Sequence, residues 1–143
     1  MFIGGYQHNL DAKGRIIVPA KLRDELGEKV IVTAGLDKNL LIYTTSQFEE
    51  IAQKLLALPM TNAKARQYRA HTLGKAMEIE VDAQGRILIP STLIKAGHLQ
   101  KNCVIVGLYD HVELWDKDLW EAYYDNASAK IDDIAEDLTE FIV

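Results

Sequence analysis

Asp11-Ala12-Lys13-Gly14-Arg15-Ile16-Ile17-Val18-Pro19 and Asp82-Ala83-Gln84-Gly85-Arg86-Ile87-Leu88-Ile89-Pro90 are two versions of one nine-residue stretch. Asp, Gly, Arg and Pro keep the same spacing in both, and Leu22 and Leu93 follow at the same distance. A match of that length marks an internal duplication, and self-similarity of this kind decides the fold reading first. Each copy centres on a turn holding an acid and a base four residues apart.

The similarity continues outward with small insertions. Lys29-Val30-Ile31-Val32-Thr33-Ala34-Gly35-Leu36 leads to Leu40-Leu41-Ile42-Tyr43, and Asn102-Cys103-Val104-Ile105-Val106-Gly107-Leu108-Tyr109 leads to Val112-Glu113-Leu114-Trp115. Each copy reads as strand, turn, strand, short helix, strand, turn, strand, with a helical segment after it. A unit of about half of 143 residues seldom buries enough core alone, so the two copies are expected to pack on one another.

Asp at the first turn position and Gly at the fourth suit a type I turn. Asp11 and Asp82 are therefore expected to bond to amides ahead of them, and Gly14 and Gly85 to accept positive φ. The β-branched run after each Arg favours a strand. Pro19 and Pro90 cannot donate to a ladder and so end it, then open short helices that Gly27 and Gly97 close. Asp11, Gly14, Asp82 and Gly85 thus read as structural residues of the turn.

The arginines invite a second reading. Lys13, Arg15, Lys21 and Arg23 place four cations within eleven residues. Arg offers planar, bidentate donors suited to phosphates and guanine edges. Arg86 has weaker company, because Gln84, Thr92 and Ile94 stand where the first copy has Lys13, Lys21 and Arg23. The second copy therefore reads as a scaffold version of the first. The net charge of −5 hides an asymmetry: residues 1–75 carry 11 Lys and Arg against 7 Asp and Glu, whereas residues 76–143 carry 5 against 14. A basic half on an acidic chain is an electrostatic footprint for an anionic partner.

Other classes find little support. Two symmetry-related Asp residues could form a carboxylate dyad, but each has an Arg nearby to hold it ionised. No phosphate loop, nucleophile elbow or zinc-protease motif occurs, and His8, His71, His98 and His111 have no ligand spacing. No enzymatic activity, cofactor, metal or small-molecule ligand is expected. The start has no basic-then-apolar pattern of a signal peptide, and no apolar run approaches a membrane span. The lone Cys103, in an apolar strand, reads as a small buried hydrophobe in a reduced, cytosolic protein.

Ser46-Gln47-Phe48-Glu49 reads as a capping box opening a helix with Phe48, Ile51, Ala52 and Leu55 on one face, which Pro59 ends. Asn62 is expected to cap a second helix to about Leu73, with Tyr68 and Leu73 facing the core; Lys64, Arg66 and Arg69 read as a solvated face first and as an extension of a DNA surface second. Asp116 is expected to cap a third helix, with Leu119, Trp120, Tyr123 and Tyr124. A last stripe of Ile131, Ile134, Ala135, Leu138 and Phe141 lies among acids. These segments are too apolar for a lone surface and should cover the second unit or dock on another subunit.

The duplicated Asp-x-x-x-Arg motif, the Met-Phe-Ile-Gly-x-Tyr-x-His start and the Arg-Ile-Ile-Val-Pro-Ala-Lys-Leu-Arg continuation closely resemble the MraZ family, within the wider AbrB/SpoVT swapped-hairpin group. The resemblance covers essentially the whole chain. It implies an α+β fold: a mostly β, pseudo-twofold swapped-hairpin (AbrB-like) barrel from two repeats, with flanking α-helices. On that reading residues 1–58 are the first repeat with its helix and 59–76 a helical connection. Residues 77–116 are the second repeat, and 117–143 are C-terminal helices packing on the barrel or a neighbouring subunit.

The resemblance further implies a bacterial transcriptional regulator, a ring-like homo-oligomer that binds double-stranded DNA at G-rich direct repeats. It would repress its own promoter and the division and cell-wall gene cluster, and associate with the nucleoid. The family's DNA-contacting motif falls on Asp11 to Arg15, with Lys21 and Arg23 close behind and Arg86 in the second copy. Arg15 is expected to read base edges, and Lys13, Lys21 and Arg23 to hold phosphates. The alternative is an AbrB/MazE-like antitoxin or protein-binding module, which usually needs an extended tail, whereas this C-terminal stretch has regular apolar spacing.

Overall fold

The computed structural model describes residues 1–142, and Val143 lies outside them. The first repeat supplies β1 (Phe2–Asn9), β2 (Arg15–Ile17), α1 (Ala20–Leu26), β3 (Lys29–Ala34) and β4 (Leu40–Thr44). Then come α2 (Thr45–Leu56) and α3 (Ala63–Gly74). The second repeat supplies β5 (Met77–Glu80), β6 (Arg86–Leu88), α4 (Ser91–Ala96), β7 (Asn102–Tyr109) and β8 (Val112–Asp116), followed by α5 (Lys117–Ala129), α6 (Ile131–Asp137) and α7 (Thr139–Ile142). The chain is α+β, as its duplicated pattern predicts.

Neither repeat closes on itself. The six-stranded sheet runs β1-β7-β8-β4-β3-β5, and β2 pairs with β6 as a separate ribbon, every pair antiparallel. The first strand of each repeat therefore pairs with the third strand of the other. Two registers expose the pseudo-twofold axis: Ile16 faces its counterpart Ile87 in the ribbon, and Leu41 faces its counterpart Glu113 where β4 meets β8. The loops repeat the symmetry, with Leu10 N–H donating to Lys101 O at 2.7 Å and Val81 N–H to Glu28 O at 2.8 Å. The swapped, barrel-like arrangement follows from size, since each half leaves its first strand and inner face unpartnered until the other half supplies them.

The core is built from equivalent pairs. Ile16 and Ile87, Val18 and Ile89, Leu22 and Leu93, and Ile42 and Leu114 are all buried. Cys103 takes the place of Val30 and is also buried, where desolvation pushes its thiol up to about 11. Burying each of the larger aliphatic side chains is worth about 1.5–3 kcal/mol.

Several local expectations shift. Thr44, not Ser46, caps α2: its hydroxyl accepts from Gln47 N–H, and Gln47 Oε1 accepts from Thr44 N–H, completing the box two residues earlier. Strand β4 runs directly into the helix, so its last residue is already extended and positioned as the cap. Asp116, its symmetry mate, caps α5 through Leu119 N–H, and Asn62 caps α3 through Ala65 N–H, both as expected. Gly97 follows α4 but has φ −88; the left-handed residue is His98 at φ 52. A Cβ on Gly97 would lie 2.8 Å from Leu40 Cγ, so this glycine serves close packing rather than backbone handedness. Tyr68 is 44% exposed, against the inward placement read from the sequence; Thr72, one turn on, is the buried residue of α3. Helix α5 covers β7 and β8, setting Trp120 edge-on and Tyr123 tilted against Trp115, while α6 and α7 present their apolar stripe to solvent.

Candidate nucleic-acid interface

Both Asp-x-x-x-Arg turns form, and they form alike. Gly14 N–H donates to Asp11 O at 3.0 Å, and Gly85 N–H to Asp82 O at 2.9 Å, the closing bond of a β-turn. Each aspartate then organises its loop. Asp11 Oδ1 accepts from the amides of Lys13 and Arg15 at 2.9 and 2.8 Å, and its Oδ2 accepts Arg15 Nε–H at 2.8 Å. Asp82 repeats this with Gln84, Arg86 and Arg86 Nε at 3.0, 2.8 and 2.9 Å. The Arg15 amide first, then its side chain, holds the Asp11 carboxyl below the usual carboxylate range against some desolvation, and Arg86 does the same to Asp82. Gly14 and Gly85 have φ of +87 and +78, as their turn positions require.

The ion pair engages only the Nε edge of each guanidinium. Among the described residues neither terminal nitrogen of Arg15 has a partner, and Arg86 has only a long contact of 3.4 Å to Gln84 Oε1. The aspartate thus aims the arginine without consuming its fork of donors. Arg15 lies opposite Leu88 and Arg86 opposite Ile17 on the outer face of the β2–β6 ribbon. Diagonal neighbours of this kind are roughly 7–8 Å apart. The two apolar members of that face, Ile17 at 43% and Leu88 at 54%, are exposed. Ribbon, two arginines and two solvent-facing aliphatics form one continuous surface.

Lys13 and Lys21 are exposed, in the first loop and on α1. Arg23 is placed differently. Its Nη2 donates to Val18 O at 2.9 Å, and its guanidinium covers Gly85 of the other repeat, where an added Cβ would lie 2.2 Å from Arg23 Cζ. Its Nε is buried with no partner. The symmetry mate Ile94 covers Gly14 in the same way, with Cδ1 3.3 Å from the corresponding Cβ position. Backbone bonds follow the same exchange, Val18 N–H to Gly85 O and Ile89 N–H to Gly14 O, both 2.8 Å. Each motif loop is therefore buttressed by the helix of the opposite repeat. The second loop, short of a lysine in its own sequence, receives a cation from the first repeat. No local signal showed this; only the alignment of Arg23 with Ile94 across the duplication pointed to it.

A second cluster escaped the sequence reading of four isolated histidines. His111 Nδ1 lies 2.7 Å from Asp110 Oδ1 and Nε2 lies 2.9 Å from Glu113 Oε2, while Glu113 Oε1 accepts from Trp115 Nε1 and from Asn39 Nδ2, each at 2.9 Å. A carboxylate stands on each ring nitrogen, and only the imidazolium form of His111 can donate to both. Its pKa is raised, chiefly by the bond to Glu113. Burial raises Glu113, but His111, Trp115 and Asn39 together outweigh it and leave the carboxyl below its ordinary value. The adjacent Asp110-His111-x-Glu113 spelling was the available signal. This cluster joins Asn39 of the first repeat to the second; among the described residues no group of three or more His, Cys, Asp and Glu side chains is arranged to hold a metal.

An intertwined, duplicated α+β barrel carrying two aspartate-braced arginine loops on one ribbon defines the class, that of swapped-hairpin proteins built from tandem Asp-x-x-x-Arg units. Within it, the chain belongs to the MraZ family, whose model, described as "MraZ protein, putative antitoxin-like", matches it twice, over residues 1–70 and 72–142. That family is of the regulator and antitoxin-like type rather than a family of enzymes. Among the described residues no helix is long and apolar enough to cross a membrane.

Proposed function

We propose that this protein is a sequence-specific DNA-binding transcriptional regulator whose contact surface is the outer face of the β2–β6 ribbon. The observation that carries this reading is the bracing of Arg15 and Arg86, each held through Nε by its own aspartate, which leaves the terminal nitrogens of Arg15 without a partner and those of Arg86 with only the long contact to Gln84 among the described residues. A two-stranded ribbon is of a size the major groove admits, and a bidentate arginine suits the O6 and N7 of guanine. Ile17 and Leu88 offer apolar contacts of the kind that thymine methyls accept. Lys13 and Lys21 hold phosphates. Arg23 acts by positioning the second loop and adding positive potential there, which makes the second motif a full partner rather than a scaffold.

Family membership extends the proposal to G-rich direct repeats upstream of the protein's own promoter and the neighbouring division and cell-wall genes, repression there, and a cytoplasmic, nucleoid-associated location. One ribbon makes few phosphate contacts, so several copies on repeated DNA boxes raise affinity through effective concentration. The test compares wild type and Arg15→Ala on operator and scrambled DNA at two salt concentrations. One bidentate pair is worth about 1–3 kcal/mol, so operator binding should fall by roughly 5- to 150-fold with the melting curve unchanged. Equal loss on both DNAs makes Arg15 a phosphate contact, and an unfolded variant makes the Asp11–Arg15 pair structural only. Absence of operator binding by wild type favours the antitoxin-like alternative, to be pursued through a stoichiometric protein partner.

A further inference from the structure

The β2–β6 ribbon is twofold in its backbone but not in its side chains. Ile16 lies opposite Ile87, so a local axis passes between them and exchanges the two motif loops. That exchange carries Lys13 onto Gln84. Each backbone amide donates to Oδ1 of its own aspartate, at 2.9 and 3.0 Å, and both residues are exposed on their loops. Equivalent positions thus hold unlike chemistry. Lys13 is a cation with no ion pair among the described residues. Gln84 is neutral: its Oε1 stands 3.4 Å from Arg86 Nη2, and among the described residues its Nε2 donates to nothing. The second loop therefore presents an amide, with an acceptor and two donors, beside its guanidinium, whereas the first presents donors alone.

We propose that Gln84 reads a base, selecting adenine next to the guanine that Arg86 takes, while Lys13 at the equivalent position of the first loop holds a phosphate without choosing a base. The inference rests on the ribbon reading above and adds a specificity determinant to it. In the major groove adenine offers N7 as an acceptor and N6 as a donor, and an amide answers both. Guanine offers two acceptors there, which sets the amide oxygen against O6, and such a repulsive term sharpens discrimination. A lysine has no acceptor to give the adenine N6–H. The oxygen of Gln84 has two lone pairs, so its contact with Arg86 steadies the amide and leaves one lone pair for the base. The consequence is directional. Two identical loops about a twofold axis would read a palindrome; Gln84, standing where the first loop has a lysine, makes the two halves of the box unlike.

The experiment is selection by the full chain from a randomised duplex library, followed by affinities across a salt series, for wild type, Gln84→Ala, Gln84→Lys and Lys13→Gln. Both positions are exposed, and each loop already folds with the other's residue at the equivalent place, so the backbone tolerates the exchanges; melting curves check this. Wild type should return an asymmetric box with an adenine beside a guanine, preferred about 5- to 150-fold over the other bases at that position. Gln84→Ala should lose that preference and keep every other position. Gln84→Lys should lose it too, bind all duplexes more tightly and steepen the salt slope by about one. Lys13→Gln should weaken binding to all duplexes, flatten the salt slope by about one and gain a second adenine related to the first by the axis of the box. A Gln84→Ala protein that selects the wild-type box, weakens all sequences equally, or loses the neighbouring guanine instead of the adenine overturns the proposal. Loss of the box in Arg15→Ala with no change in Gln84→Ala sinks this inference alone. A wild type that selects no sequence sinks the ribbon reading and this inference with it.

Discussion

Gly85→Ala should be costly for two separable reasons. The residue has φ +78, where an L side chain costs about 1–2 kcal/mol. Its new Cβ would also lie 2.2 Å from Arg23 Cζ and 2.5 Å from Nε, so the guanidinium must leave. The arginine is a flexible side chain and moves readily, but in leaving it gives up the bond to Val18 O, worth about 1–2 kcal/mol for a charged donor on a partly exposed group. Gly85→Ala alone should therefore cost about 2–4 kcal/mol. In an Arg23→Ala background the obstruction and the bond are already gone, and the same change should cost only the backbone strain, about 1–2 kcal/mol. Urea denaturation of the four proteins in the cycle reads the coupling directly. Strict additivity, within about 0.5 kcal/mol, would refute the claim that Arg23 of the first repeat rests on the second repeat's loop.

Three further outcomes follow from the same geometry. His111 has a raised pKa, so its contribution is complete below the ordinary value of 6.5 and is lost as pH climbs through the raised one; wild type should lose stability over that window relative to its own value at pH 6, and His111→Gln should flatten the dependence in denaturation series. A Cβ on Gly107 would meet backbone atoms of Phe2 and Ile3 at 2.7 and 2.6 Å, so Gly107→Ala should push β1 off β7 at a cost of about 1–3 kcal/mol, with β1 amides losing hydrogen-exchange protection before the rest of the sheet. Cys103, buried and with its thiol pushed up to about 11, should react with a thiol reagent at pH 8 only after denaturation.

How much of this was legible beforehand depended on how local each signal was. Two nine-residue copies were enough to predict two equal turns, because Asp, Gly and Arg at that spacing carry their own hydrogen-bonding instructions. Helix ends at Asn62 and Asp116 were readable for the same reason. Tyr68 was misplaced because helical periodicity identifies faces but not which face the sheet covers; the buried position went to Thr72, whose carbonyl accepts the hydroxyl of Thr33. Asp110, His111, Glu113 and Trp115 are neighbours in sequence and their cluster is legible there; that Asn39 joins it is not, because it lies 74 residues from Glu113.

The sequence by itself determined the duplication, the turn chemistry and the presence of a basic motif on an acidic chain, since all three depend on residues within a few positions of one another. Only the tertiary structure decided who serves whom. Strand exchange between repeats puts Ile94 over Gly14 and Arg23 over Gly85, and it sets Arg15 and Arg86 on one ribbon face. Such pairings arise because half a chain cannot bury its own core: the partner that completes a strand or covers a glycine must come from the other half, and no local pattern records which side chain that will be.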